Sequence, residues 1–500
     1  MSLKAFAAKI FAKIIRKEIN TWMMNPVETQ QKVFSNLIKN AKNTAFGIDH
    51  HFDTVQTHED FVLNVPIRDY EQLRPYMDRM VQGEENVLWP GKPLYIAKTS
   101  GTTSGAKYIP LTKESMPSHI NAARNAILCY IAETGKSSLV DGKMIFLQGS
   151  PELSKKNGIK IGRLSGIVAH FVPKYLQKNR LPSWRTNCIE DWEKKVEAIV
   201  EETVNENMTV ISGIPPWVQM YFEKLQKKTG KPVGELFKNF ELFIYGGVNY
   251  QPYRTTFEKL IGKKVASIEL YPASEGFFAF QDSQSEEGML LQLDSGMFYE
   301  FVKADEFFDE NPKRYTIGEV ETGINYVLLV SSNAGLWAYN IGDTIQFVSI
   351  SPYRVIVSGR IKHFISAFGE HVIGKEVERA MQQAIDEVSV FVKEFTVAPQ
   401  IQPSNNELPY HEWFIEFQEE TDQLSELAKA IDKALRAQNS YYDDLITGAV
   451  LQPLKITKVP QNGFQKYMES IGKLGGQNKL PRLANDRKIA DALLESISKG

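Results

Sequence analysis

Residues 98–110 read KTSGTTSGAKYIP, so Thr99, Ser100, Thr102, Thr103 and Ser104 place five hydroxyls within six positions. Gly101 and Gly105 let the backbone approach a ligand closely, and clustered hydroxyls and amide N–H groups suit the oxygens of a polyphosphate. The flanking runs Pro93–Ala97 and Tyr108–Leu111 are extended and apolar, so the loop is expected to join two strands. A P-loop is disfavoured, because that motif needs G-x-x-x-x-G-K-[ST] opening into a helix. Here Gly101 and Gly105 stand one residue too close, Ala106 precedes Lys107, and Tyr108 replaces the metal-binding hydroxyl. Taken alone, the stretch reads first as a solvated turn, since hydroxyls and glycines are ordinary turn residues.

Four further stretches carry chemistry of the same kind. In Tyr271-Pro-Ala-Ser274-Glu275 the tyrosine could cover a purine, and one carboxylate is enough for Mg²⁺, which shares its shell with substrate phosphates. The alternative is a helix cap. In Tyr339-Asn-Ile-Gly342-Asp343 the aspartate could accept both hydrogens of a ribose diol, against the alternative of a hairpin turn. Arg360, within Ser358-Gly-Arg-Ile-Lys362, could reach ribose or phosphate, or be a surface arginine in a linker. Lys479, between Gly475-Gly476 and Arg482, could neutralise a transferring phosphoryl group, or be part of a solvated tail.

The elements that must position these residues alternate. Strands at 143–148, 209–212, 241–245 and 265–271 are separated by helices at 190–206, 217–228 and 252–261, which argues for a parallel sheet. Ligands bind beyond the carboxyl ends of such strands, where Gly246-Gly247 and Tyr271–Gly276 fall. From 289 to 357 short alternating runs suggest a barrel or curved antiparallel sheet. Residues 358–370 read as a boundary, followed by a compact α+β module that ends in a basic, glycine-containing tail. The expected fold is therefore α/β: a large domain over 1–358, with parallel α/β sheet and a β-barrel-like part, and a small α+β domain over 359–500. The segment 65–80 reads as a short entry followed by a helix broken by Pro75. Residues 3–22 set Leu3, Phe6, Ile10, Ile14 and Trp22 near one helical face, with Lys4, Lys9, Lys13, Arg16 and Lys17 elsewhere. That apolar stripe is expected to pack on the protein itself, a membrane surface being the alternative.

Composition narrows the field. With 58 Lys plus Arg against 60 Asp plus Glu, the overall balance makes no electrostatic case for nucleic acid or an anionic membrane as the main partner. Only Cys129 and Cys188 occur, which gives no disulfide framework and makes a reducing, cytoplasmic location the default. No apolar run approaches the roughly 18 residues of a membrane span, and no signal peptide is evident.

In order and spacing these stretches resemble the motifs of the adenylate-forming superfamily. Within it they look most like the Gretchen Hagen acyl-acid amido synthetases. Thr99-Ser-Gly-Thr-Thr-Ser-Gly105 matches the first ATP motif, Tyr271-x-x-Ser274-Glu275 the second and Tyr339-x-x-Gly342-Asp343 the third. Val65-Pro66…Tyr70-Glu71…Pro75-Tyr76…Arg79, Val459-Pro460…Gly463-Phe464 and Gln477-x-Lys479-x-Pro481-Arg482 resemble segments particular to that family. The resemblance implies an enzyme that adenylates a carboxylic acid and passes the acyl group to an amino acid amine. It implies ATP and Mg²⁺, with Thr99, Ser100, Gly101, Thr102 and Thr103 on the phosphates, Gly246, Gly247, Tyr271 and Ser274 around the nucleotide, and Glu275 on the metal. Asp343 and Arg360 would hold ribose and Lys479 would approach the α-phosphate, making Lys479 and Glu275 the catalytic pair. Arg124, on the helix after the loop, is the guess for the acid's carboxylate, and His371 stands where the plant enzymes carry lysine. The rivals are an acyl-CoA ligase and a non-catalytic nucleotide-binding scaffold.

Overall fold

The structure, a computed structural model, describes residues 2–102, 105–171, 177–247, 250, 253–304, 306–361, 364–365, 367–370, 372–404, 407–471, 480 and 482–498. Strands β1 (Tyr95–Thr102) and β2 (Gly105–Leu111) form an antiparallel hairpin, as the loop's flanks predict. β3 (Lys143–Phe146) enters the main sheet, while β4 (Ser154–Lys156) and β5 (Ile159–Gly162) extend the hairpin to a sheet of order β2–β1–β5–β4. The main sheet continues through β6 (Arg180–Leu181), β7 (Met208–Ser212), β8 (Leu242–Gly246), β9 (Ala266–Pro272), β10 (Phe277–Phe280) and β11 (Met289–Leu291). It is completed by β12 (Met297–Lys303), β13 (Asn325–Ser332), β14 (Tyr339–Ile350) and β15 (Tyr353–Arg360). Its spatial order is β12–β13–β14–β15–β11–β10–β9–β8–β7–β3–β6.

From β9 to β6 the neighbours are parallel, and from β12 to β9 antiparallel. The antiparallel region expected over 289–357 thus runs on from the parallel strands within one sheet. Alternate residues of the parallel strands feed two cores, as the two-residue period of a strand requires. Val210, Leu242, Ile244 and Ile268 face the helices Leu3–Met23 and Met116–Thr134. Ile145, Ile211, Phe243 and Tyr245 face the helices Trp192–Thr203 and Pro215–Thr229.

The N-terminal helix packs by its other face. Ala5, Ala12, Ile15 and Ile19 are buried, whereas Leu3, Phe6, Ile10 and Ile14 are exposed. Alanine side chains let this helix lie close against Met116–Thr134, Ile15 and Ile19 complete the seam, and of the expected stripe Trp22 alone packs on the core. The helix Tyr70–Val81 also departs from expectation by running unbroken through Pro75. Its capping box, Asp69 with Gln72, and the burial of Leu73, Met77 and Met80 outweigh the roughly 3 kcal/mol of an interior proline.

After β15 come β16 (Phe364–Ile365) and β17 (Val372–Ile373), then β18 (Val392–Gln400), β19 (Tyr410–Phe417) and β20 (Lys455–Val459). The last three form a sheet of order β18–β19–β20, β20 running parallel to β19. The chain beyond it is not only tail. Helices Gly463–Ser470 and Lys488–Ser498 pack Phe464, Tyr467, Ala490 and Leu493 against Ala398 and Phe414. One apolar core joins Trp192, Phe243 and Phe257 of the main-sheet region to Phe368, Val377 and Trp413 beyond it. No helix among the described residues is long and apolar enough to cross a membrane.

Candidate functional site

The carboxyl end of β9 turns back into β10 through a tight hairpin, in which the Ala273 N–H donates to the Gly276 carbonyl at 2.8 Å. Glu275 therefore sits at a hairpin tip, half-buried, and does not cap a helix. Asp343 lies inside β14, opposite Arg360 of β15, so the Gly-Asp pair is not a hairpin turn either. Gly342 takes φ +89° there, and its N–H donates to the Asn340 Oδ1 at 2.8 Å.

The two motifs are cross-bonded. The Tyr271 hydroxyl donates to the Asp343 Oδ2 at 2.6 Å in a buried contact, and the Tyr339 hydroxyl reaches the Glu275 Oε1 at 3.5 Å. Each motif's tyrosine thus meets the other motif's carboxylate. Tyr271 is consequently held by its hydroxyl, with its ring edge-on to Phe278 at 5.0 Å.

The segment before Tyr70 ties this pair to the hydroxyl hairpin. Arg68 bridges to Tyr339: its N–H donates to the Ala338 carbonyl, and its own carbonyl accepts from Asn340 N–H at 2.8 Å. Two residues on, the Tyr70 hydroxyl accepts from the Tyr108 N–H at 2.9 Å, beside Lys107, whose ammonium lies 5.9 Å from the Tyr70 ring centre. Burial pushes the Tyr70 phenol up to about 12, so it stays protonated. Arg68 is itself set by His50, whose Nδ1 lies 2.8 Å from the Phe46 carbonyl and whose Nε2 lies 2.9 Å from the Arg68 Nη2. A ring protonated at Nδ1 satisfies both contacts.

Gly246 and Gly247 end β8 in two different ways. A Cβ on Gly246 would fall 2.5 Å from the Leu270 carbonyl oxygen, so close strand approach alone requires that glycine. Gly247, at φ +83°, faces open space. Thr99 is half-buried on β1, and Ser100, Gly101 and Thr102 are described by backbone alone. Thr103, His371 and Lys479 lie outside the described residues, and for Arg360 only the backbone is described. Arg124 is turned to the N-terminal helix, its guanidinium 5.5 Å from the Phe11 ring centre and its Nη2 2.9 Å from the Asn125 Oδ1.

Sequence reasoning missed Arg68, Tyr70 and Tyr339 as positioning groups, and His119. The last is buried on the helix after the hairpin with its Nδ1 unpartnered, and burial lowers it to about 4, leaving the ring neutral. Tyr70 and Tyr339 stand inside motifs that the sequence shows, but their partners Tyr108 and Glu275 lie far along the chain, so no local signal assigns them this role. A cavity of about 360 Å³ lined by Lys136, Asn207, Lys238 and Glu241 opens at the amino ends of the parallel strands. Doubly wound sheets bind ligands at the other end, so the cross-bonded motifs remain the candidate.

The architecture is that of an α/β protein with a single mixed main sheet and a smaller α+β unit following it. Three consecutive family models match it: the GH3 family N-terminal domain over residues 15–189, the central domain over 290–360 and the C-terminal domain over 375–488. The chain belongs to the GH3 family. It is 22% identical over 348 residues to a jasmonoyl–L-amino acid synthetase of Nicotiana attenuata, covering 56% of this chain and 60% of that one. A jasmonoyl–L-amino acid synthetase of Oryza sativa subsp. japonica is 20% identical over 557 aligned residues, 91% of each chain. The solved AtGH3.15 acyl acid amido synthetase in complex with 2,4-DB shares the fold, with a TM-score of 0.62 at 16% identity, over 97% of this chain and 96% of that one.

Proposed function

We propose that the chain is an ATP-dependent acyl-acid amido synthetase that joins a carboxylic acid to the amine of an amino acid. The observation that carries this reading is the crossed pairing of Tyr271 with Asp343 and Tyr339 with Glu275, tied to the hydroxyl hairpin. Membership of a family whose curated relatives are named amino acid synthetases supports the amine as acceptor.

ATP enters as a substrate. A carboxylate oxygen of the acid bonds to the α-phosphorus while the α–β anhydride breaks and pyrophosphate leaves. The acceptor amine then bonds to the acyl carbon, the acyl–phosphate C–O bond breaks, AMP leaves and the amine's proton goes to solvent. The carboxylate is already a nucleophile at neutral pH, so the first step needs charge neutralisation rather than a base. Thr99 to Thr103 would cradle the phosphates, Gly246, Gly247, Tyr271 and Ser274 would border the nucleoside, and Asp343 with Arg360 would hold ribose. Lys479, on the small domain over 359–500, would come to the α-phosphate. Glu275 fits a magnesium ion: its half-buried carboxylate makes one long hydrogen bond among the described residues, and no group of three ligating side chains competes for the ion there. The ion would neutralise phosphate charge.

Acid-dependent exchange of pyrophosphate into ATP, over a panel of aryl, indole and fatty acids, tests the reading. Exchange that needs an acid and falls at least a hundredfold in Glu275→Ala and Lys479→Ala is expected. Exchange indifferent to both substitutions, or absent despite Mg·ATP binding, overturns it. Adding amino acids or coenzyme A to the adenylated enzyme then separates amide from thioester formation.

A further inference from the structure

The N-terminal helix Leu3–Met23 has a second apolar face that the described residues leave exposed. Ala5, Ala12, Ile15 and Ile19 are buried on one side, yet Leu3 is 85% exposed and Phe6, Ile10 and Ile14 are each about half exposed at 50%, 48% and 50%. At 100° per residue these four fall on one stripe opposite the buried seam. Met24, just past the helix, and Val27 of the next one are exposed as well. Lys9, Lys13 and Lys17 form an i, i+4, i+8 row that runs along one flank of the stripe and enters it at Lys17, and Lys4 stands on the other side. None of these four lysines is in an ion pair among the described residues, whereas Arg16, on the inner side, pairs with Asp282 at 2.7 Å. The first acidic residue of the chain is Glu18.

We infer that this face docks the protein on an anionic phospholipid membrane, the helix lying in the plane of the interface. A helix of this kind buries its apolar residues at the headgroup boundary while long lysine side chains reach the phosphates. Charge decides between lipid and a second copy of the chain. Packing the stripe on itself brings two unneutralised lysine rows together, whereas anionic headgroups neutralise them. The inner face stays on the protein, so docking needs no unfolding.

Flotation of the full chain with vesicles tests this, comparing phosphatidylcholine alone with phosphatidylcholine plus phosphatidylglycerol. Binding is expected to the anionic vesicles only. It should drop about fivefold for each of Lys13→Gln and Lys17→Gln, and be lost in Ile10→Ser/Ile14→Ser. Unchanged thermal melting in these surface variants separates lost docking from lost fold. Failure to float with anionic vesicles, or equal flotation of wild type and variants, overturns the inference. So does a concentration-dependent dimer in light scattering that the Ile10→Ser/Ile14→Ser variant abolishes.

Discussion

Tyr271 and Tyr339 differ by one number that ranks their substitutions. The Tyr271 hydroxyl lies 2.6 Å from a buried carboxylate oxygen, the Tyr339 hydroxyl 3.5 Å from a half-buried one. Hydrogen bonds to charged groups contribute about 1.5–3 kcal/mol and weaken steeply with length. Tyr271→Phe is therefore expected to cost about 2 kcal/mol of stability and to weaken ATP binding at least tenfold. Tyr339→Phe should cost under about 1 kcal/mol. Denaturant titration and equilibrium nucleotide binding on both variants check the order. At this scale the sequence showed which groups have the right chemistry, but Tyr271 as a purine cover and Asp343 as a ribose acceptor hid their mutual bond. Nothing local in either motif encodes a partner 72 residues away.

At the scale of elements, the helix Tyr70–Val81 and the strand β12 each carry a testable contact. Tyr70→Phe leaves the Tyr108 N–H without its acceptor, which costs about 1–3 kcal/mol and loosens the hairpin. Slower pyrophosphate exchange with a raised KM for ATP is expected, with the acid's KM changed less. On β12, buried Glu300 takes a bidentate pair from Arg314 at 2.7 Å on each arm, and His58 Nε2 lies 2.8 Å from Oε1. Burial by itself raises the Glu300 carboxyl, but the charge of Arg314 and the hydrogen bonds from His58 and Arg314 outweigh that and hold it below its ordinary 4.5. A depressed folded value means the unfolded chain binds the proton first. The pair's contribution is therefore complete above about pH 4.5 and is lost as pH falls through the folded value. Denaturation curves from neutral pH to about pH 3 should show that loss. In Glu300→Gln the acid slope should flatten, and stability at neutral pH should fall by about 3–5 kcal/mol because Arg314 is left buried and unpaired.

Over the whole molecule, the region after 364 is seated on the main sheet by a shared apolar core, with polar contacts at its edge. Arg163 pairs with Asp444 at 2.7 Å and lies 4.9 Å from the Tyr441 ring centre, and the Tyr253 hydroxyl donates to the Ala367 carbonyl at 3.2 Å. Gly448 packs closely there: a Cβ on it would fall 2.5 Å from the Trp192 Cδ1. Gly448→Ala is expected to unseat this region, increasing the radius of gyration in solution scattering and speeding proteolysis within 359–375. An unchanged radius and cleavage rate would mean that Trp192 yields instead.

The sequence by itself determined the alternation of strands and helices, because hydrophobic period and turn residues are local properties. It also held the hydroxyl hairpin and the family resemblance, which rest on contiguous residues. Three matters were decided only by tertiary structure. The N-terminal helix buries Ala5, Ala12, Ile15 and Ile19 and leaves Leu3, Phe6, Ile10 and Ile14 outside, because which face meets Met116–Thr134 is set by the packed neighbour and not by the helix's own period. Pro75 was absorbed into a helix whose cap and buried face outweigh its cost. The crossed tyrosine–carboxylate pairs formed because the β9–β10 turn and β14 meet in space, and contact between residues so far apart in the chain is a property of the packed fold alone.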